Sequence, residues 1–72
     1  NISKLAVPAA IVGKTVIEAN LRGRFGMNIV AIENGGDVID FVKPDYTFRA
    51  GDVLIVSGKK DGLRRLSELA AN

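Results

Sequence analysis

Seventy-two residues make one small domain with a thin core, because a chain of this size buries only about 60% of its unfolded surface on folding. Apolar residues are 47% of it and charged residues 25%, too apolar a balance for a disordered chain, and the net charge of +2 is too slight to argue for nucleic acid. With no Cys and no His, a disulfide framework, a thiolate metal site and the commonest general base are all excluded.

Leu5 and Val7 alternate with polar or small neighbours and the run stops at Pro8, as in a first, edge-type strand. Thr15 and Glu18 form a capping-box pattern at the start of a helix, in which Ile17 and Leu21 share a face. Gly23 and Gly26 make that helix short or broken, and Gly26 suits its C-terminal stop. Asn28 to Glu33 is apolar in both phases, which predicts a strand covered on both faces. Asn34-Gly35-Gly36-Asp37 is the strongest turn signal and predicts a hairpin whose returning strand is Val38–Val42. Tyr46 to Arg49 reads as loop, and Val53–Ser57 as a central strand. Asp61 is a candidate cap for a last helix, with Leu63, Leu66, Leu69 and Ala70 on one stripe and Arg64, Arg65 and Glu68 facing water. The order β-α-β-β-β-α defines an α+β fold, helices packed on a mostly antiparallel sheet.

No apolar run approaches the ~18 residues of a membrane span, and no signal peptide is present. The chain starts at Asn1 without Met, so residues 1–72 are expected to be one domain excised from a longer chain. Ile and Val together number 15 against four aromatic residues, an aliphatic surplus that a partner subunit would cover.

Gly13-Lys14-Thr15 matches the tail of a phosphate-binding loop, but Pro8 stands where that motif needs its first glycine, so a turn and helix cap is the better reading. Asp37, Asp45, Asp52 and Asp61 fall at turns or caps, where carboxylates satisfy local amides. With no base, nucleophile or clustered ligands, neither a catalytic site nor a metal site is expected. The segment Leu21 to Ile29 carries more. Arg22 and Arg24 straddle Gly23 at a helix end, Phe25 follows, and Asn28 opens a strand. Guanidinium groups fork onto phosphate oxygens and an Asn amide can read an adenine edge, with Ile17, Ile29 and Pro44 as apolar walls for a base. A structural reading stands beside this one: Arg24 solvated, Phe25 in the core, Asn28 satisfying backbone. Spacing leaves both open.

The stretches Leu5-x-Val7-Pro8, Val12-Gly13-Lys14-Thr15, Leu21-Arg22 and Phe25-Gly26-x-Asn28-Ile29-Val30-Ala31-Ile32 resemble the C-terminal regulatory module of RCK (TrkA-type) proteins, the RCK_C or TrkA-C domain. Gly51-Asp52-Val53-Leu54-Ile55-Val56-Ser57-Gly58 is similar to the closing strand of that module, and the likeness spans nearly the whole chain. The resemblance implies a homodimerising domain that follows a Rossmann-like domain and gates potassium channels, uptake systems or cation/proton antiporters from the cytoplasmic side. It further implies the subset that binds cyclic di-adenosine monophosphate (cyclic di-AMP) across the dimer interface. On that likeness Arg22 meets phosphate, Asn28 bonds adenine, and Val16, Ile17, Ile29 and Pro44 wall the base. Asn20, Leu21, Gly23, Arg24 and Phe25 lie along the same groove. Tyr46 stands where some members place histidine, and a phenol there can stack or donate. A two-fold ligand with two phosphates suits an isologous dimer that presents each group twice. The resemblance implies no cofactor beyond that regulatory ligand and no direct nucleic-acid contact. Two other readings remain: a dimerisation module without a nucleotide, answering to an ion, and the sensor of a transcription regulator.

Overall fold

The computed structural model describes residues 1–70, Ala70 by its backbone alone. Strands β1 (Ile2–Ala6), β2 (Asn28–Asn34), β3 (Asp37–Ile39) and β4 (Val53–Ser57) form one sheet in the order β1-β4-β2-β3, antiparallel throughout. Helices α1 (Val16–Ala19) and α2 (Leu21–Phe25) precede β2, and α3 (Lys60–Ala70) closes the chain. A short 3-10 turn, Ala9–Ile11, follows β1 and was not signalled by the sequence. The expected α+β architecture, the edge position of β1 and the central position of β4 are all present.

Packing explains the strand assignments. Along β4, Leu54 and Val56 are fully buried while Val53, Ile55 and Ser57 are half-buried, so the helices cover one face of the sheet. Leu54, Val56 and Ile32 meet Leu21 and Phe25 of α2, Leu66 of α3, and Ile11, Met27 and Phe48 from the connections. Each such side chain contributes about 1.5–3 kcal/mol by leaving water. Leu63 and Leu69 pack partly against this core, as their stripe predicts; the Ala70 side chain lies outside the described residues.

Four expectations are corrected. The apolar run of β2 is covered on both faces only at Ala31 and Ile32. A bulge at Val30 separates the pairs Ile29↔Val56 and Ala31↔Ile55, leaving Val30 44% exposed while Ala31 and Ile32 are buried. One inserted residue resets the alternation, which is why both phases of the run look apolar. The strand after the hairpin ends at Ile39 rather than Val42. Its ladder runs from Asn34↔Asp37 to Ile32↔Ile39 and stops next to the bulge. The helix breaks at Asn20, before either glycine. Asp61 lies inside the first turn of α3 and is held by Arg64 at 2.7 Å and Arg65 at 3.3 Å instead of capping amides. The Gly35-Gly36 hairpin forms as expected, both residues at positive φ (58° and 96°), as a tight two-residue turn requires.

Candidate functional site

The site begins with the capping box. Thr15 Oγ1 accepts from the Glu18 amide at 3.2 Å, and the Thr15 amide donates to Glu18 Oε1 at 2.8 Å. That amide bond, with the Thr15 hydroxyl behind it, holds the Glu18 carboxyl below its usual range. Glu18 is therefore committed to Thr15. Behind α1 the loop of residues 44–48 receives the next amides: Val16 N–H donates to the Tyr46 carbonyl at 3.0 Å and Ile17 N–H to the Pro44 carbonyl at 3.2 Å.

Asn20 ends α1 and starts α2. It adopts φ 50° and ψ 50°, and among the described residues it is the only non-glycine at positive φ. Its Oδ1 accepts from the Gly23 amide at 3.1 Å and so caps α2. Asn is the side chain that combines this conformation with a cap. A Cβ on Gly23 would sit 2.5 Å from the Asn20 amide nitrogen, so the cap also fixes Gly23. At the far end Gly26 (φ 66°) donates to the Arg22 carbonyl at 2.9 Å and Met27 to the Leu21 carbonyl at 3.2 Å, bending the chain into β2.

Between this bent helix pair and the mouth of β2 lies an open cleft of about 380 Å³. Val16, Ile17, Asn20, Leu21 and Arg22 line one side and Asn28 and Ile29 the other, with Met27 and Val42 completing it. Ile17, 68% exposed, stands open at the cleft beside half-buried Val16 and Ile29. Among the described residues, neither the Arg22 guanidinium nor the Asn28 amide has a hydrogen-bond or ion-pair partner. The cleft thus presents a free cation and a free amide beside apolar walls, a donor set for a planar, phosphate-bearing ligand.

Of the twelve residues expected at a ligand site, the cleft unites Val16, Ile17, Asn20, Leu21, Arg22, Asn28 and Ile29. Gly23, Arg24 and Phe25 instead line an adjoining groove, which shares Arg22 with the cleft. Phe25 is largely buried, with the Arg24 guanidinium 5.0 Å from its ring centre. Pro44 contributes its carbonyl to α1 rather than a wall. Tyr46 points elsewhere: its hydroxyl donates to Asp52 Oδ2 at 2.7 Å and its ring meets Phe48 edge-on at 5.9 Å. Sequence reasoning missed Met27 and Val42. Met27 follows the left-handed Gly26 that turns the chain into β2, and Val42 lies beyond the end of β3 at Ile39.

Asp52, expected at a turn, is fully buried and takes four partners. Besides Tyr46 they are Asn34 Nδ2 at 2.8 Å, the Arg49 amide at 2.9 Å and the Arg49 guanidinium at 3.6 Å. Burial pushes its pKa up, but the bonds from Asn34, Arg49 and Tyr46 outweigh it and hold the carboxyl below its usual range. No group of three or more metal-ligating side chains occurs among the described residues, and no helix there is long and apolar enough to cross a membrane.

The fold defines a small α+β domain of the regulatory kind, with an open cleft between its bent helix pair and its sheet. The family model of the TrkA-C domain matches residues 2–71, and the chain belongs to that family. It is 29% identical over 65 residues to the Ktr system potassium uptake protein A of Bacillus subtilis (strain 168), covering 90% of this chain and 29% of that protein. It is 39% identical over 54 residues to sodium/sulfate cotransporter 1 of Chlamydomonas reinhardtii, covering 75% of this chain and 6% of that one. The chain therefore spans under a third of these relatives. Among solved structures it is similar to the RCK C domain of KtrA in complex with cyclic di-AMP (TM-score 0.89, 29% identity, 94% of this chain and 80% of that one). It is also similar to the RCK_C domain dimer of S. agalactiae BusR with cyclic di-AMP (TM-score 0.86, 26% identity, 97% and 95%). The expectation of no nucleic-acid partner gains no support, since BusR is also known with its busAB-promotor DNA, this chain matching 35% of that one.

Proposed function

We propose that this domain is a homodimeric sensor that binds cyclic di-AMP in the cleft and biases a potassium or cation transport protein from its cytoplasmic side. The observation that carries the reading is the unpartnered pair Arg22 and Asn28 beside Ile17 and Ile29. If the cleft were only a dimer contact, Arg22 would be expected to close onto Glu18 or Asp45; Glu18 is held by Thr15 instead, and Arg22 pairs with neither. Similarity to two ligand-bound RCK_C domains supports the choice of ligand. A two-fold dimer would set two guanidinium groups against two phosphates and two Asn28 amides against two adenines. The ligand then favours one arrangement of protomers over another, and the differential affinity is what reaches the attached domains.

Titration calorimetry of the 72-residue chain with cyclic di-AMP tests this. The expected result is one ligand per dimer. With two charged contacts at about 1.5 kcal/mol or more each, Arg22→Ala lowers affinity at least ~100-fold. No heat at protein concentrations where the dimer persists overturns the ligand. A dimer that binds cyclic di-AMP equally well without Arg22 overturns the phosphate assignment. BusR favours a second reading, the sensor of a transcription regulator, and whether the full-length protein binds promoter DNA separates the two.

A further inference from the structure

Beside the cleft runs a second groove. It has a volume of about 610 Å³ and runs between the end of α2 and the first turn of α3. Four cations line it, Arg22, Arg24, Lys59 and Arg65, against a single carboxylate, Asp61, which Arg64 and Arg65 already hold. Arg22, Arg24 and Lys59 have no carboxylate partner among the described residues. A chain with a net charge of only +2 thus gathers a local excess of three positive charges along one groove.

The guanidinium groups are held in place rather than trailing in solvent. Those of Arg24 and Arg65 lie 5.0 and 5.6 Å from the Phe25 ring centre, and Arg65 Nη1 donates to the Arg24 carbonyl at 3.0 Å. Contact with the ring leaves the Arg24 guanidinium N–H edge free to donate outward, while Arg65 gives Nε to Asp61 and Nη1 to the Arg24 carbonyl. The walls converge because Gly62 lets α3 approach α2: a Cβ there would lie 2.0 Å from the Phe25 carbonyl oxygen.

We propose that this groove docks an extended acidic segment of another polypeptide. Forked donors on a fixed platform suit carboxylates, and the charges are strung along an open channel instead of converging on one point. An excess of three charges is small for a nucleic-acid surface, which neutralises many phosphates. Arg22 belongs to both the groove and the cleft, so an occupant that draws it one way weakens the other site. Occupation of the groove does not depend on the identity of the cleft's ligand.

The test is fluorescence anisotropy of the 72-residue chain with labelled hexaglutamate, with hexalysine and a 12-base-pair DNA duplex as comparison probes. Hexaglutamate is expected to bind, weaken at least tenfold in Lys59→Glu and in Arg24→Ala, and change less than twofold in Lys43→Glu, a cation outside the groove. Lys59→Glu is expected to leave cyclic di-AMP titration unchanged, which shows that the variant is folded and separates failure of this site from failure of the cleft reading. No hexaglutamate binding, equal losses in the Lys59 and Lys43 variants, or duplex binding tighter than hexaglutamate would each overturn the proposal.

Discussion

Replacing Asp52 by alanine removes the one buried carboxylate at the junction of the hairpin, the loop of residues 44–48 and β4. Its side chain is 0% exposed and answers Asn34, Tyr46 and both the amide and the guanidinium of Arg49. Asn34 retains the Ala50 carbonyl at 3.3 Å, and Arg49 Nε still reaches the Tyr46 hydroxyl at 3.3 Å, but that hydroxyl and the Arg49 amide lose their acceptor. Arg49 is more than half exposed and keeps its solvation, so the loss is that of two donors left without their acceptor, at about 1–3 kcal/mol each or about 2–6 kcal/mol together. A domain of this length holds roughly 4–11 kcal/mol in all. Urea denaturation at 25 °C should therefore show Asp52→Ala down by about 2–6 kcal/mol, a large share of that total, and Tyr46→Phe, which loses one bond to a charged acceptor, down by about 1.5–3 kcal/mol. The carboxyl is depressed in the folded state, so its contribution is full above the unfolded value near 3.8 and is lost as pH falls through the lower folded value. The gap between wild type and the Tyr46 variant should then narrow below pH 4. A loss under about 1 kcal/mol in Asp52→Ala at pH 7 refutes the clamp.

Further outcomes follow from the helix geometry. Asn20→Ala loses both the α2 cap and the tolerated left-handed backbone, and thermal melts should show about 1–2 kcal/mol of destabilisation. Asn20→Gly keeps the backbone and should cost less than the alanine variant; the reverse order refutes the assignment of φ 50°. Gly62→Ala would ordinarily favour a helix by about 1 kcal/mol, yet its Cβ meets the Phe25 carbonyl, so melts should show destabilisation. Asn28→Ala should weaken cyclic di-AMP binding at least tenfold without moving the melting temperature, since Asn28 is exposed and its side chain has no partner among the described residues.

Local signals carried the sequence reading far. The Thr15–Glu18 box, the Gly35-Gly36 turn and the strand at Val53 each depend on neighbours a few residues away, and each formed as expected. What was hidden depends on partners distant in the chain. The Val30 bulge exists only in the pairing of β2 with β4, and it changes both which residues of the run are buried and where β3 can stop. Tyr46 and Asp52 look like loop residues six apart; only the fold shows one hydroxyl turned inward onto a buried carboxylate. The segment 21–29 was legible as chemistry but not as geometry, because one helix turn separates residues that face the cleft from those that face the groove.

Asn20 decides that separation. Were α1 and α2 one continuous helix, Ile17 and Leu21 would share a face at i, i+4, and Arg22 would follow Glu18 on the next one. That arrangement would invite an Arg22–Glu18 pair at the same spacing, closing the cation onto its own helix. The left-handed break interrupts the spacing: Leu21 is buried at 3% exposed while Ile17 stays at 68%, and Glu18 turns back to Thr15. A single strained residue thus keeps Arg22 unpaired at the wall between the cleft and the groove. It follows that Asn20 substitutions should act on binding as well as stability. At temperatures where Asn20→Ala remains folded, its cyclic di-AMP affinity should fall by a larger factor than that of Asn20→Gly, which keeps the left-handed backbone, and equal factors would show that the break serves folding alone.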